Sequence, residues 1–153
     1  MHSPDPNYRR VVEQGFGEAA FLNEIGIILV DCGPGWCEST LRIAPRHLQH
    51  TGVIHAGVQT TIADHTAGGA AMTVTPAEGF ILTVEFKMHL LRPGLGDTLW
   101  CRVQVLKPGK AFHVVESEVH ALSGDRKVLV SKFSGTMAVV ARNGVLNGGA
   151  SPP

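Results

Sequence analysis

Residues 50–73, HTGVIHAGVQTTIADHTAGGAAMT, carry an arrangement with an evident chemical use: an aspartate, Asp64, set seven residues after a glycine, Gly57, in a stretch without proline. Seven residues are about two helical turns, so the two positions share roughly one face of a helix. Thr51-Gly52 is a turn signal that breaks the preceding extended segment, and a helix beginning near His55 places Gly57 in its first turn. Backbone N–H groups there lack intrahelical acceptors and would stabilise a developing negative charge. A lone Asp on an amphipathic helix is ordinarily a solvated position. Its being the only acid on this helix, two turns from Gly57, favours a chemical role.

The helix is poor in bulk. Ala56, Gly57, Ala63, Ala67, Gly68, Gly69, Ala70 and Ala71 leave a thin cylinder, and only Val58, Ile62 and Met72 carry sizeable apolar side chains. Each interior glycine costs roughly 1 kcal/mol against alanine, so close packing or a ligand contact has to compensate. Such a helix suits a wrapping of sheet.

Strands must supply that sheet. Segments 80–91, 98–107, 111–122 and 128–141 are rich in Val, Ile, Phe and Thr, and are separated by Arg92-Pro93-Gly94, Lys107-Pro108-Gly109-Lys110 and Ser123-Gly124-Asp125, each a turn by composition. They read as an antiparallel meander of four strands. Before the helix, 25–32 and 36–43 flank Cys32-Gly33-Pro34-Gly35 as a hairpin. The expected architecture is α+β, one antiparallel sheet curled around one central helix (residues 25–141). Residues 1–24 are expected to form a peripheral segment of two short helices, 6–14 and 15–23. Residues 142–153, with Gly148-Gly149 and Pro152-Pro153, are expected to be a flexible tail.

At 153 residues the chain has the length of one domain. Thirteen basic residues balance thirteen acidic ones, so no global field favours nucleic acid or an anionic membrane. Cys32, Cys37 and Cys101 are an odd set without C-x-x-C spacing, which argues for small core residues in a reducing compartment. With no apolar run of signal-peptide or membrane-spanning length, the expected location is the cytoplasm. His47, His50, His55 and His65 invite a metal reading, but their spacing lacks the tight ligand pairs of zinc sites, and no metal is expected.

Gly52-Val53-Ile54-His55-Ala56-Gly57, followed by Ile62-Ala63-Asp64, resembles the G-x-x-H-G-G…(L/A)-x-D signature of hotdog-fold acyl-CoA thioesterases of the phenylacetate-degradation type. The likeness extends over residues 20–141 through the strand order. It implies the hotdog fold, hydrolysis of an acyl-CoA to a free acid and coenzyme A, and a homo-oligomer, either a dimer or a dimer of dimers. It implies no bound cofactor, since coenzyme A is part of the substrate.

The same resemblance assigns roles. Asp64 becomes general base or nucleophile, and the Gly57 N–H becomes a donor to the carbonyl oxygen as it turns negative. In such enzymes the acid comes from one subunit and the glycine amide from the other. The position eight residues before Gly57, usually Asn, is Gln49, whose amide lies one methylene further out. Ala56 stands where the signature has its first glycine. His55 is expected to orient the thioester or cap the turn, Thr83 to place a hydroxyl near the acid, and His50 and Ala56 to contact substrate. Arg92, Lys107, Lys110, Arg126 and Lys127 lie in or beside turns, and Arg92 and Lys110 are the candidates for the nucleotide end of coenzyme A. Two other readings stay open: an acyl-CoA-binding module without catalysis, favoured by Gln49 and Ala56, and a protein that uses the fold only to dimerise.

Overall fold

The structure is a computed structural model that describes residues 1–142; the expected tail lies, but for Arg142, outside the described residues. In chain order it contains helices α1 (Tyr8–Glu18) and α2 (Ala20–Ile25), then the hairpin β1 (Ile27–Gly33) and β2 (Trp36–Arg42). A 3-10 turn at Pro45–His47 leads to the central helix α3 (Ala56–Met72), which is followed by strands β3 (Gly79–Leu90), β4 (Thr98–Pro108), β5 (Phe112–Ser123) and β6 (Arg126–Ala141). All strand pairs are antiparallel, and the sheet order is β1-β2-β4-β5-β6-β3. Among the described residues no helix is long and apolar enough to cross a membrane.

The α+β architecture is as expected, with the sheet curled around α3, but the four later strands are not one meander. Only β4, β5 and β6 are. Helix α3 crosses the concave face of the sheet and delivers the chain to the far edge, where β3 pairs with β6. Residues 91–97 then carry the chain back to the open side of β2, so the Arg92-Pro93-Gly94 signal marks a crossover rather than a hairpin turn. Ile54 N–H donates to Gly94 O at 2.9 Å and Ile43 N–H to Asp97 O at 2.8 Å, pinning the crossover beside the start of α3.

Small residues let α3 sit close to the strands. Gln59, Ile62, Ala63, Thr66, Ala67 and Ala70 follow the i, i+3, i+4 spacing of one buried face. A Cβ on Gly69 would come within 3.1 Å of both Cys37 Sγ and Phe16 Cε2, which is why glycine stands there. Thr66, buried in the helix, has its hydroxyl 2.5 Å from that of Ser39 on β2. At the far end, Gly35 N–H donates at 2.8 Å to Thr73 Oγ1, tying the β1–β2 turn to the end of α3; Gly35 has φ +85°, which requires glycine.

The N-terminal segment forms two helices, and the first packs against the central helix through its few buried residues. Helix α1 runs through Gly15 and Gly17 to Glu18 because Val12 and Phe16, four residues apart, are both buried against α3, and the break falls at Ala19. The three cysteines are free and buried among the described residues. Cys32 and Cys37 face each other across the hairpin, and burial pushes the Cys101 thiol up to about 12. Such thiols are inert packing groups.

If close approach at Gly69 sets the separation of helix and sheet, Gly69→Leu is expected to lower folding stability by about 1–3 kcal/mol through overpacking, measured by urea unfolding.

Candidate active site

Asp64 lies near the middle of α3, half-buried, and accepts a hydrogen bond at 2.8 Å from the hydroxyl of Thr83 on β3. Thr83 is placed for this by a β-bulge between Thr83 and Glu85, which changes the register against β6. Its partner in that register, Met137, is fully buried, so Thr83 points to the helix side of the sheet. Burial lifts the Asp64 carboxyl above the ordinary carboxylate range, and the Thr83 hydrogen bond acts against the lift.

Beside the carboxylate opens a cavity of about 430 Å³ between α1, α3 and the start of β3. Its walls are largely apolar, with Phe16, Met72, Phe80 and Ile81 among them, and Asp64 and Thr83 stand together on its lining. His65 lines it too, packed edge-on against Phe16 at 4.6 Å between ring centroids. Burial pulls the His65 imidazole down to about 4, so it is neutral at physiological pH.

The start of α3 is a second, separate region. His55 is the N-cap, and its Nδ1 accepts a hydrogen bond from Gly57 N–H at 2.9 Å. The Gly57 amide is therefore engaged by the cap. Ala56, the first residue of the helix, has an N–H with no intrahelical acceptor available to it. Gln49 lies on the turn that Gly52 closes with φ +80°, and its side-chain amide donates to Thr51 Oγ1 at 2.8 Å. Gln49, Ala56 and Arg92 line one open pocket of about 330 Å³. His50 is exposed next to Gln49.

One chain does not bring these two regions together. Eight residues from Ala56 to Asp64 are about 12 Å of helix rise, too far for one carbonyl group to reach both. The cations divide as well. Arg92, Arg126 and Lys127 fall at the sheet end where β5 turns into β6, whereas Lys107 and Lys110 fall at the opposite end, where β4 turns into β5. Arg92 donates to Leu129 O at 3.1 Å, and Lys127 lies 3.6 Å above the Trp100 ring centre.

The histidines have distinct structural employment. His47 is buried, accepting from Ala44 N–H at Nδ1 and lying 2.8 Å from Ile25 O at Nε2, so both ring nitrogens are engaged by backbone. Sequence reasoning passed over Gln59. It is 3% exposed, donates through Nε2 to Ile54 O at 3.2 Å, and among the described residues its Oε1 has no partner. Its side chain lies against Gly94, where an added Cβ would come within 3.1 Å of Nε2. The available signal was a lone amide on the face of α3 otherwise given to Ile, Ala and Thr. Val12 and Phe16 were also missed as cavity walls, because α1 looked detachable.

Residues 51–128 match the profile of the thioesterase superfamily. The chain belongs to that superfamily. A thioesterase family protein from Silicibacter pomeroyi superposes with a TM-score of 0.86 at 26% identity, over 88% of this chain and 98% of that one. The PaaI protein of the Escherichia coli phenylacetic acid degradation operon superposes with a TM-score of 0.81 at 21% identity, over 91% and 97% of the two chains. A Haemophilus influenzae protein provisionally named an esterase is 25% identical over 99 residues, 64% of this chain and 71% of its own length. Membership supports thioester hydrolysis as the general activity, and the fold shared with PaaI is the hotdog.

The Asp64 carboxyl titrates at its ordinary value when unfolded and above it when folded. Between those two values the folded chain binds the proton more tightly, so stability falls as pH rises through that interval. The ionised carboxylate thus costs stability at neutral pH. Asp64→Asn, which keeps an acceptor for Thr83, is expected to melt higher than the parent at neutral pH. The difference should disappear below the ordinary carboxylate range, as read by thermal melts across a pH series.

Proposed function

We propose that the protein is an acyl-CoA thioesterase in which Asp64 is the general base. The observation that carries this reading is the half-buried carboxylate of Asp64, held by Thr83 and set beside an apolar cavity. Asp64 takes a proton from water as the water oxygen bonds to the thioester carbon. The carbonyl oxygen becomes an oxyanion, and its collapse breaks the carbon–sulfur bond. The departing thiolate takes the proton, leaving a free acid and coenzyme A. A carboxyl lifted by burial suits this task, since a base works best with its pKa moved toward the operating pH.

The oxyanion donors in this reading come from the start of α3. The Ala56 N–H is the first, and the Gly57 N–H joins it when the His55 ring turns off it. Because those amides and Asp64 are about 12 Å apart along one helix, the reacting carbonyl is served by the acid of one subunit and the helix start of its partner. The dimer forms through β3, whose outer edge has no partner strand among the described residues and which exposes Leu82, Val84 and Phe86. Gln49 holds the water or the thioester once its amide leaves Thr51, with His50 nearby. Arg92 and Lys110, at opposite sheet ends in one chain, approach the nucleotide from different subunits, and no further cofactor is needed.

A second reading, a module that binds acyl-CoA or dimerises without hydrolysis, draws on the engagement of the Gly57 amide by His55 and of the Gln49 amide by Thr51. Release of free thiol from a panel of acyl-CoAs separates the two. The parent is expected to release it. Asp64→Asn is expected to lose at least about 10²-fold in kcat while remaining folded, and undiminished turnover in that variant would overturn the mechanism. Sedimentation velocity at micromolar concentration is expected to give a dimer or larger species, and a single monomeric boundary would contradict the shared site.

A further inference from the structure

Helical glycine forgoes the stabilisation alanine would give unless its missing side chain is used, and the three glycines of α3 differ in how they use it. At Gly69 an added Cβ would crowd Cys37 and Phe16, and at Gly57 it would lie 3.0 Å from His55 Nδ1. At Gly68 it would meet nothing within 4 Å among the described residues. Nor does the backbone call for glycine, since Gly68 is not among the residues with positive φ. Neither packing nor conformation therefore accounts for residue 68.

Its position does. Gly68 is one turn beyond Asp64 on the same face of α3 and lines the cavity of about 430 Å³ that holds the carboxylate. Across that cavity Gly15 of α1 lines the other wall, and among the described residues a Cβ there would also meet nothing within 4 Å. Phe16, Met72, Phe80 and Ile81 supply apolar surface, and the His65 ring in this wall is neutral. The volume lies toward the small end of the roughly 300–1,000 Å³ of ligand pockets. Glu18 and Asp64 are the acidic residues on this lining, so an anionic terminus on a bound tail would meet like charge and find no counter-ion there.

We propose that Gly68, with Gly15 opposite, sets the acyl specificity of the Asp64 site: the two missing side chains keep open an apolar slot for an uncharged, medium-length acyl tail. The proposal rests on the thioesterase reading for its substrate. It adds which residues select the acyl group and what class they select.

Acetyl-, octanoyl- and succinyl-CoA discriminate the possibilities. The parent is expected to show its highest kcat/KM on octanoyl-CoA. Gly68→Leu fills the slot and is expected to lower the ratio of octanoyl to acetyl kcat/KM about tenfold or more, mainly through KM, as a misfit of a methylene or more does in an apolar pocket. Gly68→Ala is expected to move the ratio the same way by less while melting no lower than the parent, so it reads specificity without a folding defect. Gly15→Leu is expected to repeat the effect from the opposite wall. An unchanged ratio in folded Gly68→Ala and Gly68→Leu, or a parent preference for succinyl-CoA, overturns the proposal. If the parent hydrolyses none of the three, the hydrolase reading fails separately, and calorimetry with octanoyl-CoA decides the slot. Binding that Gly68→Leu weakens about tenfold or more keeps the assignment, and binding that it leaves unchanged removes it.

Discussion

The closeness of α3 to the strands is the constraint on which the rest of the structure depends. A sheet can wrap a helix only where the helix offers little side chain, and the contact at Gly69 with Cys37 and Phe16 is that requirement at its tightest. The hydroxyls of Ser39 and Thr66 meet at 2.5 Å inside the same interface, so the two surfaces are joined by a polar link as well as by apolar packing. Threonines on α3 satisfy themselves by bonding back to the preceding turn, as the buried Thr66 does to Ile62 O at 2.6 Å. Helix and sheet are thereby fixed in register, and with them the distance from Asp64 to Thr83.

This registration explains how a carboxylate is held where water would not leave it unaided. Asp64 sits on the margin of the buried face, lifted by loss of solvent and steadied by one hydroxyl. The bulge in β3 is what aims that hydroxyl, because it resets which residues of β3 oppose β6. A strand at the edge of the sheet can take such an irregularity without disturbing two neighbours. The edge that would support association and the hydroxyl that steadies the acid thus belong to one strand.

Much of this was legible in the sequence, for identifiable reasons. The small-residue stretch, the lone acid and the β-rich segments are local signals, and each became the element it indicated. The order of the strands was not legible, because nothing in Arg92-Pro93-Gly94 distinguishes a hairpin turn from a crossover once a helix has carried the chain to the far edge. Capping by His55 was among its expected roles, but its engagement of the Gly57 amide was not legible, because the amide a ring nitrogen reaches depends on ring orientation, which leaves no trace in spacing. The role of α1 was hidden by Gly15 and Gly17, which advertise a break that Val12 and Phe16 override by burying together. Gln59 was missed because its importance lies in being dry, a property set by Gly94 from a distant segment.

The cavity has walls from two separate parts of the chain. Asp64, Thr83 and the residues of α3 fall within the region shared across the superfamily, residues 51–128, whereas α1 lies before it. The part of the molecule that would break a bond and the part that would shape what is broken are consequently carried by different elements. Substitutions in α1 at positions that face the cavity leave the acid, its hydroxyl partner and the helix start untouched, so the shape of the cavity can be altered from the first helix without displacing the groups that stand beside it.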